Sequence, residues 1–154
     1  MKKILTAFLV LVMVLGLAAC SSKEENIPGT LSEIMAKITD VPSLEIAVME
    51  TELNAENWEH NTKIAMPEGA EGLVSDAMIS AQAHSVVLIR LPEGADGDAI
   101  AQEILEKNTD PSQPSKWICV NPEKVEVVRR GDLILFVQSF ETTTDEIVEK
   151  FNEL

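Results

Sequence analysis

Two short segments of this chain are apolar at every position, and they constrain its fold more than any other feature. They cover residues 86–89 and 133–137. A strand that is solvated on one face alternates apolar and polar residues, whereas a strand that is buried on both faces does not. Both segments are therefore predicted to be central strands of a sheet. Their two faces need cover, and we favour helices of the same chain over an open face that awaits a partner.

The remaining patterns predict nine elements in the order α-β-α-β-β-α-β-β-α. The expected elements are a helix at 31–39, a strand at 44–49, a short helix capped by Asn54, strands at 73–80 and 85–91, a helix capped by Asp96 or Asp98, strands at 125–128 and 133–139, and a last helix after a second capping box at 143–146. Residues 117–120 are a further extended candidate. Hairpin connections outnumber strand–helix–strand crossovers in this order. The predicted fold class is therefore α+β, a single small domain with a mainly antiparallel sheet of about five strands and packed helices.

The start of the chain has the layout of a bacterial lipoprotein leader. Two lysines precede an apolar stretch of 16 residues, and small residues stand directly before Cys20. A membrane-spanning helix needs about 20 apolar residues, so this stretch is short. We predict a cleaved signal peptide at residues 1–19, with diacylglyceryl on the sulfur of Cys20 and an acyl chain such as palmitate on its amine. The alternative is an ordinary secretory signal followed by a chance cysteine.

The leader predicts the domain organisation and the location of the protein. After the signal peptide, residues 20–29 are expected to be a lipidated cysteine and a flexible tether, and residues 30–154 a single α+β domain of unknown function. The location is then the extracytoplasmic face of the cell membrane, where the lipid on Cys20 is the anchor.

The charge of the chain limits its partners. The formal net charge is −14, and loss of the two leader lysines makes it −16. So acidic a surface opposes binding to nucleic acid and to anionic polymers. The predicted partners are the membrane, through Cys20, and an unknown protein or small ligand, with no nucleic acid. The acidity can equally serve solubility alone.

Metal-binding patterns in this sequence are incomplete. Glu56, Glu59 and His60 lie close together on the short helix, but a stable zinc site needs three or four ligands and no zinc motif is present. A solvated polar helix face is the favoured interpretation. The pair Asp96 and Asp98 resembles the start of a calcium loop without its later acidic positions, so a helix-cap role is favoured. We predict no metal and no cofactor.

Two other residues are candidates for chemistry. Cys119 is the cysteine that remains once Cys20 is lipidated, and a thiol enzyme would need His84 or His60 beside it. A small buried hydrophobe is the more common role for such a cysteine. Arg90 ends an apolar strand, where it can pair with a carboxylate or contact an anionic ligand. No catalytic residue is predicted.

Several segments of the chain together resemble one family of small Gram-positive bacterial lipoproteins. They are the lipidation motif at 17–20, the helix with Ile34 and Met35, the paired segments 76–80 and 86–90, the helix around 104–107, and the strand–glycine–strand segment 125–135. In this pattern the chain is similar to lipoproteins that carry domain of unknown function 4358. That family commonly has an aromatic residue after the middle helix, where this chain has Trp117, and an arginine at the end of that helix, where it has Lys107. The resemblance carries no established activity and no site residue.

The expected function is therefore that of a membrane-anchored extracytoplasmic lipoprotein with a non-enzymatic binding or interaction module. An open apolar face on either central strand would support it. One alternative is a small extracytoplasmic enzyme that uses Cys119 with a histidine. Another is a ligand-binding accessory lipoprotein of a transporter, although such proteins usually need two lobes around a cleft.

Overall fold

The sheet and helices follow the predicted order. The computed structural model of the protein describes residues 26–154. Its elements are helix α1 (Leu31–Ile38), strand β1 (Val48–Leu53), helix α2 (Trp58–Thr62), strands β2 (Glu71–Ala77) and β3 (Ser85–Arg90), helix α3 (Gly97–Thr109), strands β4 (Lys124–Arg130) and β5 (Leu133–Ser139), and helix α4 (Glu141–Asn152). The strands form one sheet in the order β1-β2-β3-β5-β4, and every neighbouring pair is antiparallel. The predicted α+β class is confirmed.

Helices of the same chain cover both faces of the sheet. On the α1/α4 face, the sheet residues Val86, Leu88, Leu135 and Val137 join a buried cluster with Ile34, Ile38, Ile147 and Phe151. On the α2/α3 face, Val87, Ile89, Ile134 and Phe136 join a second cluster with Trp58 and Ile104. The central strands β3 and β5 are therefore buried on both sides, as their apolar sequences predict. The alternative of an open apolar face on these strands is wrong.

The first and third helices begin where their caps predict. Thr30 Oγ1 accepts a hydrogen bond from the backbone N–H of Glu33 (3.2 Å), and the Glu33 carboxylate accepts one from the N–H of Thr30 (2.8 Å). This reciprocal capping box satisfies two N–H groups that a helix leaves without partners. At α3 the cap is Asp96, whose carboxylate accepts from the N–H of Ala99 (3.1 Å).

The capping box predicted at residues 143–146 is wrong. Helix α4 begins at Glu141, and its N-cap residue is Phe140, which makes no side-chain capping bond. Thr143 lies buried inside the first turn. The carboxylate of Glu146 instead accepts hydrogen bonds from the N–H (3.2 Å) and the hydroxyl (2.7 Å) of Ser43. The carboxylate of Glu146, which the capping-box pattern directs to the start of the helix, therefore makes a long-range contact with Ser43 instead.

Two extended segments differ from their predictions. The first strand is Val48–Leu53 rather than 44–49, because its pairing with β2 and not its apolar alternation defines it. It is an edge strand with a mostly exposed sequence, and Leu44 packs on the α1/α4 cluster instead. Residues 117–120 form no strand and belong to the connection between α3 and β4.

The N-terminal segment is attached to the sheet before Thr30. The side chain of Ile27 is buried, and its N–H donates to Asp132 (3.2 Å). Arg90 donates to the carbonyl oxygens of Ile27 (2.9 Å) and Gly29 (2.8 Å) and forms an ion pair with Asp132 (2.9 Å). Residues 27–29, which belong to the predicted tether, therefore contact the sheet in the described part of the chain.

The predicted signal peptide at 1–19 and the lipidation at Cys20 lie outside the described residues. Within residues 26–154, none of the helices has the length and apolar character to cross a membrane.

A lysine-lined cavity as the candidate functional site

A row of polar residues crosses three strands at one end of the sheet. Asp76 of β2 lies opposite Ser85 of β3, and Ser85 lies opposite Gln138 of β5. Side chains alternate between the faces of a strand, so this row is on the α2/α3 face. Ser85 and Gln138 are buried. The apolar interior of this face therefore ends in a polar floor.

The ammonium group of Lys116 lies on this floor. Lys116 comes from the α3–β4 loop, which we define as residues 110–123. Its Nζ donates to both carboxylate oxygens of Asp76 (2.7 and 2.8 Å), to Asn61 Oδ1 (2.8 Å) and to Ser85 Oγ (3.0 Å). An ammonium group has three protons, so these three residues satisfy it completely. Burial lowers the pKa of Lys116, and the charge and hydrogen bond of Asp76 oppose that shift. The interaction anchors the loop to the sheet.

A cavity of about 230 Å³ lies beside this anchor. It is bounded by the C-terminal ends of α2 and α3, by the α3–β4 loop and by the polar floor. Its lining includes Lys63, Lys107 and Lys116, and Asp110 is the one acidic residue among the residues that line it. The chain has 26 acidic and 12 basic residues, so this ratio reverses that of the whole sequence. The cavity is a local basic site in an acidic protein.

Some polar groups of the cavity are already occupied and others are not. The Nζ atom of Lys63 donates to the carbonyl oxygen of Pro114. The carboxylate of Asp110 accepts from the N–H of Ser112 (2.8 Å), which holds the pKa of Asp110 below its usual value. Within residues 26–154, neither the ammonium of Lys107 nor the side-chain amide of Gln138 makes a hydrogen bond to another residue. Lys107 and Gln138 are therefore the groups that a bound molecule can engage.

His84 lies next to this site but faces the other side of the sheet. Its Nδ1 atom is 2.8 Å from the hydroxyl of Ser139, and both residues are at most 1% exposed. Burial lowers the pKa of His84 to about 4, with a further contribution from Lys116, although Asp76 acts in the opposite direction. The imidazole is therefore neutral at pH 7. No substrate can reach Ser139, so the pair is structural rather than catalytic.

A larger cavity of about 540 Å³ lies at the opposite end of the sheet. Its charged lining consists of Glu52, Glu71 and Arg90. Arg90 is engaged by Asp132 and by two backbone carbonyls, as described above. Arg90, the positively charged residue among those that line this larger cavity, is therefore already engaged. The lysine-lined cavity is the better candidate site.

The structure separates the residues considered for metal binding. Glu56, Glu59 and His60 are exposed. Asp96 caps α3, and Asp98 forms an exposed ion pair with Arg129 (3.1 Å). In the part of the chain that the structure describes, no group of three or more histidine, cysteine, aspartate or glutamate residues is placed to hold a metal ion.

Cys119 is exposed, so the expectation of a small buried hydrophobe is wrong. It lies in the α3–β4 loop beside Ile118, which is 99% exposed. The side chain of Lys116 attaches the loop to the end of the sheet, whereas Ile118 and Cys119 remain exposed to solvent. Among the described residues, no histidine is hydrogen-bonded to Cys119, and His84 is directed to Ser139 instead. The arrangement that a thiol enzyme requires is therefore not formed.

Sequence reasoning missed the residues that build the site. Lys116 stands in a proline-containing loop without any motif, and Asp76 is an acidic residue near the end of a strand. Their relation depends on the strand register, which places Asp76, Ser85 and Gln138 side by side. The one available signal was the presence of polar residues at the ends of otherwise apolar strands.

Comparisons with known proteins identify no relative of this chain. A scan against protein-family models, a search of curated proteins and a search of solved structures each found no match.

Proposed function

We propose that this protein is an extracytoplasmic lipoprotein whose domain binds a small ligand in the lysine-lined cavity. The observation that carries the proposal is the concentration of three lysines around one cavity of an otherwise acidic chain. The lipidation pattern at Cys20 supports the membrane location, and lipid on that residue would hold the domain at the cell surface. The resemblance to lipoproteins with domain of unknown function 4358 belongs to the same proposal and rests on the sequence pattern alone.

Binding is favoured over catalysis because the reactive groups near the cavity are not free. A general base must reach the proton that it removes. The ammonium of Lys116 is saturated by three acceptors, and His84 is buried on the other face against Ser139. The thiol of Cys119 has no histidine partner among the described residues. The enzyme alternative therefore gains no support from the site.

The anchor part of the proposal is tested by counting thiols in the protein purified from membranes. The chain has two cysteines. If Cys20 carries a thioether-linked lipid, only Cys119 reacts with a maleimide, and its exposure makes it react without denaturant. We expect one labelled thiol and a membrane-bound protein, and release of a Cys20→Ala variant from the membrane fraction. Two reactive thiols in the membrane-bound form would contradict lipidation.

The binding part is tested by in-cell cross-linking and by ligand screening with the same lipidated protein. We expect a saturable small-molecule ligand whose binding protects the α3–β4 loop from proteolysis. If no small molecule binds while a protein partner is captured reproducibly, and is lost with Cys20→Ala, the cavity is not the functional site and the domain is an interaction module.

A further inference from the structure

We propose that the lysine-lined cavity binds a small oxyanion, meaning a phosphate or carboxylate group on a compact polar body. This inference rests on the proposed ligand-binding function and adds the chemical class of the ligand. The volume of about 230 Å³ is below the usual range of about 300–1,000 Å³ for drug-sized ligands, so the body must be small.

Charge is the first argument for an anion. Lys116 and Asp76 form a closed pair, so their charges cancel locally. Two lysines, Lys63 and Lys107, then face the single carboxylate of Asp110, and the cavity keeps an excess of positive charge. The surface elsewhere is strongly acidic and repels anions. Among the charged residues that line this cavity, an anion therefore meets more positive than negative groups.

The second argument is an amide group that has no protein hydrogen-bond partner among the described residues and is open to the cavity. The Gln138 side chain is only 6% exposed and lines the cavity, yet it has no side-chain hydrogen bond within residues 26–154. The amide atoms of Gln138 are not among the fully enclosed side-chain nitrogen and oxygen atoms that lack a partner, so they are accessible from the cavity. Its N–H₂ group can donate to a ligand oxygen. The ammonium of Lys107 lies near the charge of Asp110 but makes no hydrogen bond within the described residues, so it can supply a charge-assisted hydrogen bond to the same ligand.

The backbone of Lys63 is the third argument. Lys63 ends helix α2 with a φ of 62°, and it is the one non-glycine residue in the described part of the chain with positive φ. Glycine suits this left-handed C-terminal position, and a side chain there carries a conformational cost. A lysine at a position that favours glycine suggests that contacts of its side chain offset the conformational cost. That side chain reaches across the cavity to Pro114 and brings its charge to the site.

The test measures binding of two probes, inorganic phosphate and succinate, to the lipidated protein in neutral nanodiscs. NMR amide shifts of the cavity residues and calorimetry give the affinity, with sodium chloride at matched ionic strength as the reference. We expect saturable binding of at least one probe. Because a charge-assisted hydrogen bond contributes about 1.5–3 kcal/mol, Lys107→Gln should weaken binding about tenfold or more.

Two further variants separate function from structure. Lys63→Gly relieves the left-handed backbone and removes an exposed hydrogen bond to Pro114, and these effects oppose each other, so we expect little change in thermal stability together with weaker binding. A residue with only a structural role would not give that combination. Lys150→Gln is the matched control: it removes one exposed lysine from the last turn of α4, away from the cavity, and binding should not change.

Three results would overturn the oxyanion assignment. The first is the absence of saturable binding by either probe. The second is equal weakening by Lys150→Gln and Lys107→Gln, which would indicate a general charge effect. The third is saturable binding of a neutral polyol, glycerol, in the same cavity without competition from either anion. That third result would leave the proposed ligand-binding function in place and remove only the assignment of its chemistry.

Discussion

Buried polar residues at one end of the sheet decide the local chemistry of this protein. Lys116 and His84 lie near each other on opposite faces of the sheet. Both side chains are largely buried, and their surroundings differ in how they compensate a charge. Lys116 is surrounded by acceptors, whereas His84 is held neutral against Ser139. A buried charge persists only where hydrogen bonds and an opposite charge compensate for lost solvation.

At the residue scale, the low pKa of His84 predicts a loss of stability in weak acid. The folded-state pKa is about 4 and the ordinary value is 6.5. Because the folded pKa is the lower one, the unfolded chain binds the proton first as the pH falls. The stabilisation is complete above pH 6.5 and is lost between pH 6.5 and 4. The full difference corresponds to about 3 kcal/mol.

This prediction is checked by urea unfolding at several pH values. The chain has two histidines, and exposed His60 is the natural control. His84→Gln should flatten the dependence of unfolding free energy on pH between 6.5 and 4, and His60→Gln should leave it unchanged. An NMR titration that gives His84 an ordinary pKa would show the prediction to be wrong.

At the scale of elements, the connection between α3 and β4 is held mainly by side chains. The α3–β4 loop has no regular structure, and it reaches the sheet through Lys116 and reaches α2 through the contact of Lys63 with Pro114. Loops held by few contacts open more readily than the sheet beneath them. The loop is therefore the part of the described chain best placed to adjust to a ligand.

Removal of the Lys116 side chain should release this loop. In Lys116→Met, Asp76 loses its partner, and we expect about 2–3 kcal/mol of destabilisation, below the largest values for buried pairs because the Asp76 side chain is 31% exposed. Hydrogen exchange should rise across residues 110–123 and not in β3. Lys124→Met removes partly exposed ion pairs with Asp145 and Glu126 and should cost about 1 kcal/mol or less. Unchanged exchange in the loop would refute the anchor role.

The junction between β2 and α2 depends on a glycine. A Cβ atom at Gly72 would lie 2.9 Å from Leu53 Cδ1 and 2.9 Å from a ring carbon of Trp58. Trp58 is 1% exposed, so its ring has little room to move. Gly72→Ala should therefore destabilise the protein by about 1–3 kcal/mol through overpacking. The measurement is the urea midpoint.

A second substitution tests the cause of that destabilisation. Leu53→Ala removes the other side chain at the contact. If overpacking is the cause, the double variant with Gly72→Ala should lose less stability than the sum of the two single variants, which would show coupling between the sites. Strict additivity would point to a backbone effect at Gly72 instead.

At the scale of the whole molecule, an excess of negative charge surrounds a core that is closed on both faces. The net charge is −14, and several of the ion pairs that offset it are exposed and contribute little. Repulsion among like charges destabilises a compact chain. Raising the ionic strength from about 0.01 M to about 0.15 M shortens the screening length from about 30 Å to about 8 Å.

We therefore expect the melting temperature to rise with sodium chloride over that range. Calorimetric scans measure it, and choline chloride in place of sodium chloride separates screening from specific sodium binding. A fall in melting temperature with added salt would mean that attractive ion pairs outweigh the general repulsion.

The order of elements, the burial of both faces of the central strands and the cap at Thr30 were determined by the sequence itself. These features follow from local patterns: an unbroken apolar segment must be covered on both sides, and a capping box acts within four residues. The start of α4, the range of β1 and the exposure of Cys119 depended on tertiary contacts, such as the bond between Glu146 and Ser43. The candidate site was decided by tertiary structure alone. Its residues come from α2, α3, three strands and the α3–β4 loop, and only the strand register and the closure of that loop bring Lys116 to Asp76.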